Sequence, residues 1–220
     1  MDILHTEKLC SDGENNVIQD DDDDVEEFEE TDLAMSTDIV KILTHMMDNN
    51  IDQRIRKTTV IGLCKIILHD EHCTPNTVSK LLLAYFNPAT DAEIKQSLGN
   101  FFESIIKTRK QEILCDSLIP TLVTLPETPQ DCSFCEIEAD VVLKYVISAS
   151  RPTIRSNRLN LHDKVGLQLI RLMKDNSENK DILKLISKEL QTIEISEESL
   201  KSEIAAQLET LCLQNQLIQK

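Results

Sequence analysis

Along most of this chain apolar residues recur at three- and four-residue steps, the spacing that stacks side chains on one helical face. The clearest case is DQRIRKTTVIGLCKIIL, Asp52 to Leu68. Ile55, Thr59, Leu63 and Ile66 form one stripe, and Val60, Cys64, Ile67 and Leu68 form a second beside it. A helix that apolar around most of its girth has to be covered on several sides. Asp52 stands where an N-cap carboxylate accepts from orphan backbone amides. Arg54, Arg56 and Lys57 crowd the first turns and leave that end in water.

The same pattern returns 39 residues later. Asp52 maps to Asp91, Ile55 to Ile94, Arg56 to Lys95, Leu63 to Phe102, Ile66 to Ile105 and Ile67 to Ile106. A period of about 40 residues is that of HEAT and armadillo helix pairs, in which each pair buries its apolar seam on the next. The Asp52 and Asp91 helices should therefore lie side by side.

The remaining segments read the same way. Residues 38–49 predict a helix with Ile39, Ile42, Leu43, Met46 and Met47 inward, capped by Ser36 or Thr37. Thr74-Pro75 opens a helix, proline being tolerated in the first turn. Asn87 to Thr90 is a turn, and the Asp91 helix runs to about Arg109. A helix over 112–125 should be kinked or ended early by Pro120, and a polar loop with Pro126 and Pro129 follows. Further helices are expected at 137–148, 161–175, 179–192 and 197–217, with an irregular link from Arg151-Pro152 and Ser196 capping the last. That last helix has too few heptads for a zipper and reads as a final core-facing helix. No segment reads as a strand. The fold expected over residues 35–220 is all-α: a HEAT-type α-solenoid of antiparallel helix pairs.

Composition changes this picture at one end. Residues 1–32 hold 14 acids and one lysine, whereas 33–220 hold 25 acids and 22 bases. The run QDDDDDVEEFEE repels itself and has little to bury, which predicts a disordered acidic tail over residues 1–34. With 4 glycines, 6 prolines and no tryptophan, the rest has few breakers of helical pattern. Seven cysteines, mostly inside apolar patterns, suit reduced thiols in an intracellular protein better than a disulfide framework. No run resembles a signal peptide, and none reaches the ~18 apolar residues of a membrane span.

Chemistry is sparse. Cys132-Ser133-Phe134-Cys135 has the spacing of half a zinc site without a second half, and His69-Asp70-Glu71-His72-Cys73 reads as a polar helix end. No phosphate loop or nucleophile elbow occurs, so no catalytic residue, cofactor or metal is expected. The remaining signal is basic: Arg54, Arg56 and Lys57 on one repeat helix, Lys95 on its counterpart, and Arg151, Arg155 and Arg158 in the link. Basic starts of successive second helices would form a ladder that grips phosphates without reading bases. Ordinary solvated helix ends are the plainer explanation of the same residues.

Five segments, in order, shift that balance: RKTTVIGLCKIIL, LLLAYFNPATDAEIKQSLGNFF, LIPTLVTL, ADVVLKYVISASRP and NLHDKVGLQLI. Together they resemble the C-terminal HEAT-repeat region of the condensin G subunit (Cap-G) family over roughly residues 37–190, most specifically at Tyr85-Phe86-Asn87-Pro88 and Leu98-Gly99-x-Phe101-Phe102. The resemblance implies a non-catalytic condensin subunit that binds the kleisin and, through it, the SMC ATPase subunits. It also implies a grip on double-stranded DNA during mitotic chromosome condensation, and a location in the nucleus and on condensed chromosomes. Family members run several times longer, so a fragment or shortened form is expected. The alternative is a purely structural HEAT-repeat adaptor that binds protein without touching DNA.

Overall fold

The structure, a computed structural model, describes residues 38–49, 52–69, 74–129, 132–151 and 160–218, with side chains as far as residue 210. Residues 38–49 are helical (α1). They are followed by α2 (Gln53–His69), α3 (Pro75–Phe86), α4 (Ala92–Lys107), α5 (Glu112–Glu127), a 3-10 turn (Ser133–Glu136), α6 (Ala139–Ala149), α7 (Leu161–Asp175), α8 (Lys180–Leu190) and α9 (Glu198–Ile218). No strand occurs among the described residues. The acidic tail predicted for residues 1–34, its boundary, and the caps at Ser36 and Thr37 lie outside them.

The helices stack in two layers. α1, α3, α5, α7 and α9 follow one another in one layer, and α2, α4, α6 and α8 in the other. α2 and α4 lie side by side, as the 39-residue repeat predicts. They run parallel: Lys57 near the start of α2 pairs with Glu93 at the start of α4, and past the far end of α4 the Lys110 ammonium donates to the Leu68 carbonyl at 2.8 Å. This is the HEAT-type α-solenoid arrangement. One apolar seam runs between the layers, with Leu63, Ile67, Leu82, Leu98, Phe102, Leu118, Leu143 and Leu169 fully enclosed.

Local chemistry explains most helix starts. Asp52 Oδ1 accepts from the Arg54 amide at 2.8 Å, and Asp91 Oδ1 accepts from the Glu93 amide at 2.9 Å. Thr74 caps α3 with Pro75 in its first turn, and Asn160 and Asn179 cap α7 and α8. Ser196 does not cap α9. Its amide and hydroxyl both donate to the Asp163 carboxylate at the start of α7, so a tertiary partner 33 residues away has taken the expected cap.

Other expectations are corrected. α5 runs unbroken through Pro120 and Pro126. Pro120 cannot donate to the Asp116 carbonyl, but α5 is held by α3, α6 and α7 together, and tertiary packing outweighs one missing bond. Around the proline, hydroxyls supply extra donors: Thr121 to the Ser117 carbonyl at 2.7 Å and Thr124 to the Pro120 carbonyl at 2.8 Å. The loop predicted after α5 contains the 3-10 turn. On α1 the buried residues are Val40 and Met47, whereas Ile39 and Ile42 are 43% and 59% exposed. Ile55 on α2 is also exposed, at 41%, although its repeat mate Ile94 is buried. Ile94 lies in α4, inside the array, whereas Ile55 lies in α2, the first described helix of its layer.

Candidate nucleic-acid and protein interface

Antiparallel pairing gives the array two edges. The starts of α2, α4 and α6 fall at the first edge, and the starts of α3, α5 and α7 at the second. The turn at Asn87 shows how the first edge is built. Asn87 Oδ1 accepts from the Ala89 amide at 2.9 Å, and its Nδ2 donates to Ser133 Oγ at 2.9 Å, tying the 3-10 turn to the preceding hairpin. A groove of about 590 Å³ opens along this edge, with Met47, Val60, Leu83, Ile94 and Phe134 as its apolar lining. Arg56, Lys80, Asp48 and Asp91 give it mixed charge.

The structure separates the sequence-predicted basic residues. Arg54 and Arg56 are exposed and Lys57 and Lys95 half-buried, all four on the first turns of α2 and α4 and hence on the first edge. Arg56 lines the groove. Lys57 is committed to Glu93, and the Lys95 ammonium reaches the Pro88 carbonyl at 3.5 Å. Arg151 follows the last turn of α6, across from its start, so it falls on the second edge. An 11-residue helix is about 16 Å long, which keeps Arg151 away from the α2–α4 cluster. Arg155 and Arg158 lie outside the described residues. The predicted ladder also stops short: α6 begins with Glu138 and Asp140, not with a base. The Asp140 carboxyl is held below its usual range, first by the hydrogen bond from Lys144 and then by that from Lys188 of α8.

The charge that sequence reasoning missed is the set of lysines joining neighbouring helices within a layer. Lys80 pairs with Asp48 across α3 and α1, and Lys57 with Glu93 across α2 and α4. Lys164 of α7 reaches both Glu112 and Asp116 of α5 at 2.7 Å, and Lys174 reaches Glu203 of α9 at 2.6 Å. Desolvation pulls the Lys164 ammonium down, yet the hydrogen bonds to Asp116 and Glu112 outweigh it and leave its pKa raised. Sequence spacing gives no sign of these pairs, because their members lie 29 to 52 residues apart.

The residues that carry the family resemblance are packing residues. Tyr85 of α3 lies 5.4 Å from Phe102 of α4, and Tyr145 of α6 lies 5.4 Å from Phe86 and 6.1 Å from Phe102. One aromatic cluster thus joins α3, α4 and α6. His162 does similar work further along. It is fully buried, its Nδ1 accepts the Glu194 amide at 3.0 Å, and its Nε2 therefore carries the proton donated to the Ile147 carbonyl at 3.0 Å. Gly166, one turn on, leaves room for Ile195, since a Cβ there would come within 2.8 Å of the Ile195 methyl.

Among the described residues no group of three or more His, Cys, Asp or Glu side chains is placed to hold a metal. Asp70 to Cys73 of the predicted His69–Cys73 cluster lie outside those residues. No described helix is long and apolar enough to cross a membrane.

Comparison with known proteins agrees with the geometry. The chain is 28% identical over 138 residues to "Condensin complex subunit 3" of Homo sapiens, a match covering 61% of this chain and 13% of that protein. It is 26% identical over 132 residues to "Condensin complex subunit 3" of Xenopus laevis, covering 58% of this chain and 13% of that protein. The aligned part is thus about an eighth of the length of these curated relatives. The family described as "Nuclear condensing complex subunits, C-term domain" matches residues 3–195, a span that takes in most of the acidic segment as well as α1 to α8. With the helical array and the family match agreeing, this chain belongs to the nuclear condensing complex subunits, C-terminal domain family.

Proposed function

We propose that this chain is a non-catalytic part of a condensin complex, acting in chromosome condensation by binding the kleisin subunit and double-stranded DNA. The carrying observation is the parallel arrangement of α2 and α4, which collects Arg54, Arg56, Lys57 and Lys95 on one edge beside an apolar groove. The groove suits an extended peptide with apolar side chains, and the basic edge suits a phosphate backbone. Arg151, with Arg155 and Arg158, serves as a second, separate phosphate contact. The ATPase work belongs to the SMC subunits reached through the kleisin, and the site of action is the nucleus and condensed chromosomes.

The test is duplex DNA binding with the kleisin peptide present, titrated against salt. Each neutralised phosphate contributes roughly −0.9 to the slope of log K against log salt, so a four-cation edge with Lys57 partly spent on Glu93 should give about −3. Arg54→Glu with Arg56→Glu should weaken binding alike on all sequences. Affinity independent of salt overturns the DNA part of the reading. A second reading, an adaptor that binds protein alone, is favoured by the Lys57–Glu93 pair and by the acidic start of α6. It predicts kleisin binding that survives the same double substitution, with no DNA binding at any salt.

A further inference from the structure

The four described cysteines fall into two kinds. Cys64 and Cys115 are buried, and burial pushes both thiols up to about 12. Cys132 is half-buried and Cys135 exposed, and they sit at the two sides of the Ser133-Phe134 pair. The backbone between them is a 3-10 turn, closed by the Cys135 amide donating to the Cys132 carbonyl at 3.0 Å. Cys132 precedes the helical residues with extended backbone (φ −91°, ψ 140°), and its bond from the Cys135 amide makes 132–135 a four-residue turn, whose end Cα atoms lie within about 7 Å of one another. A disulfide needs Cα atoms about 4.4–6.8 Å apart with both side chains on one face. The turn is also held from inside. Ser133 Oγ accepts from Asn87, and Phe134 enters the groove lining.

We propose that Cys132 and Cys135 are a reversible dithiol–disulfide site, oxidised by a low-molecular-weight disulfide such as glutathione disulfide. The more exposed Cys135 loses its proton and attacks one sulfur of the oxidant, forming a mixed disulfide and expelling one glutathione thiolate. Cys132, deprotonated in turn, attacks Cys135 Sγ, breaks the mixed disulfide and expels the second thiolate. Two protein thiols are oxidised, one disulfide is reduced, and the two protons released end on the two glutathione thiols. The product clamps both ends of the turn that carries Phe134, so the redox state of the pair sets how firmly this wall of the groove is held. In a reducing compartment such a bond is transient, which is the behaviour of a sensor and not of a structural cross-link.

The experiment equilibrates the full chain in glutathione buffers of graded ratio, quenches with acid, alkylates with N-ethylmaleimide and maps peptides by mass. The expected result is joint protection of Cys132 and Cys135 with loss of two hydrogens. The half-point should follow the square of reduced glutathione over its disulfide, the dependence of an internal disulfide. Cys132→Ser should stop at a glutathione adduct on Cys135, with far-ultraviolet circular dichroism unchanged. Independent alkylation of the two thiols at every ratio overturns the proposal. A mixed disulfide that persists in the unsubstituted chain, or pairing of either residue with Cys10, Cys73 or Cys212, overturns it equally.

Discussion

Replacing His162 by phenylalanine keeps the ring volume and removes both polar atoms. The Glu194 amide then loses its acceptor, and the Ile147 carbonyl loses one donor while keeping the Ser150 hydroxyl at 3.0 Å. An amide left without a partner costs about 1–3 kcal/mol, and a carbonyl that retains a second donor about 1 kcal/mol, giving roughly 2–4 kcal/mol in all. For a domain near this size each kcal/mol moves the melting temperature by about 2–4 °C, so His162→Phe should melt roughly 4–16 °C lower. The assay is thermal unfolding followed by helical circular dichroism, paired with hydrogen exchange at the Glu194 amide, which should quicken. His162→Gln keeps an acceptor and a donor and should regain more than half of the loss. If His162→Phe melts at or above the parent temperature, the two hydrogen bonds are not what holds the start of α7 to α6 and to the loop before α9.

Three further outcomes are expected. Asp91→Ala removes the cap that receives the Glu93 and Ile94 amides and should lower stability by about 1 kcal/mol, read as a shift in urea midpoint. Arg109 has a φ of 62° at the end of α4, where the Arg109 and Lys110 amides return to Ile106 and Ile105 in a Schellman closure. Arg109→Gly should therefore raise the urea midpoint, by up to about 1 kcal/mol, since left-handed backbone disfavours a Cβ by roughly that amount. Alkaline pH should destabilise the fold. Burial holds Cys64 and Cys115 protonated up to about 12 from an ordinary 9.0, and burial likewise raises Tyr145 from 10.0 to about 12. Raised values mean stability that is complete below the unfolded pKa and lost as pH climbs towards the folded one. Urea midpoints should be flat to about pH 9 and then fall; Cys64→Ala with Cys115→Ala should delay that onset towards pH 10.

Helix positions were legible because each helix carries its own signals. Thr74 and Asp91 name their helix starts in one or two residues, and the 39-residue repeat foretells that α2 and α4 are neighbours. What could not be read were choices made by distant partners. The 3.6-residue period shows that α1 has apolar stripes, yet Ile39 and Val40 fit adjacent stripes equally well, and packing alone selects Val40. Ser196 is a good cap by local rules until Asp163 takes it. Pro120 breaks an isolated helix but not one braced on three sides. The basic edge was half legible. Lys57 and Lys95 were placed on matching turns, but Glu93, which spends Lys57, and the acid start of α6, which ends the row, depend on which helices become adjacent.

In an array of this kind each pair leans on its immediate neighbours, and damage tends to stay where it occurs. α5 carries much of that leaning, since it touches α3 on one side and α6 and α7 on the other. It lies between a front block ending at Lys107 and a back block beginning at Ala139. Melting that one rod would throw the load between the two blocks onto the Tyr145 ring contacts with Phe86 and Phe102, so forced extension should give way there first.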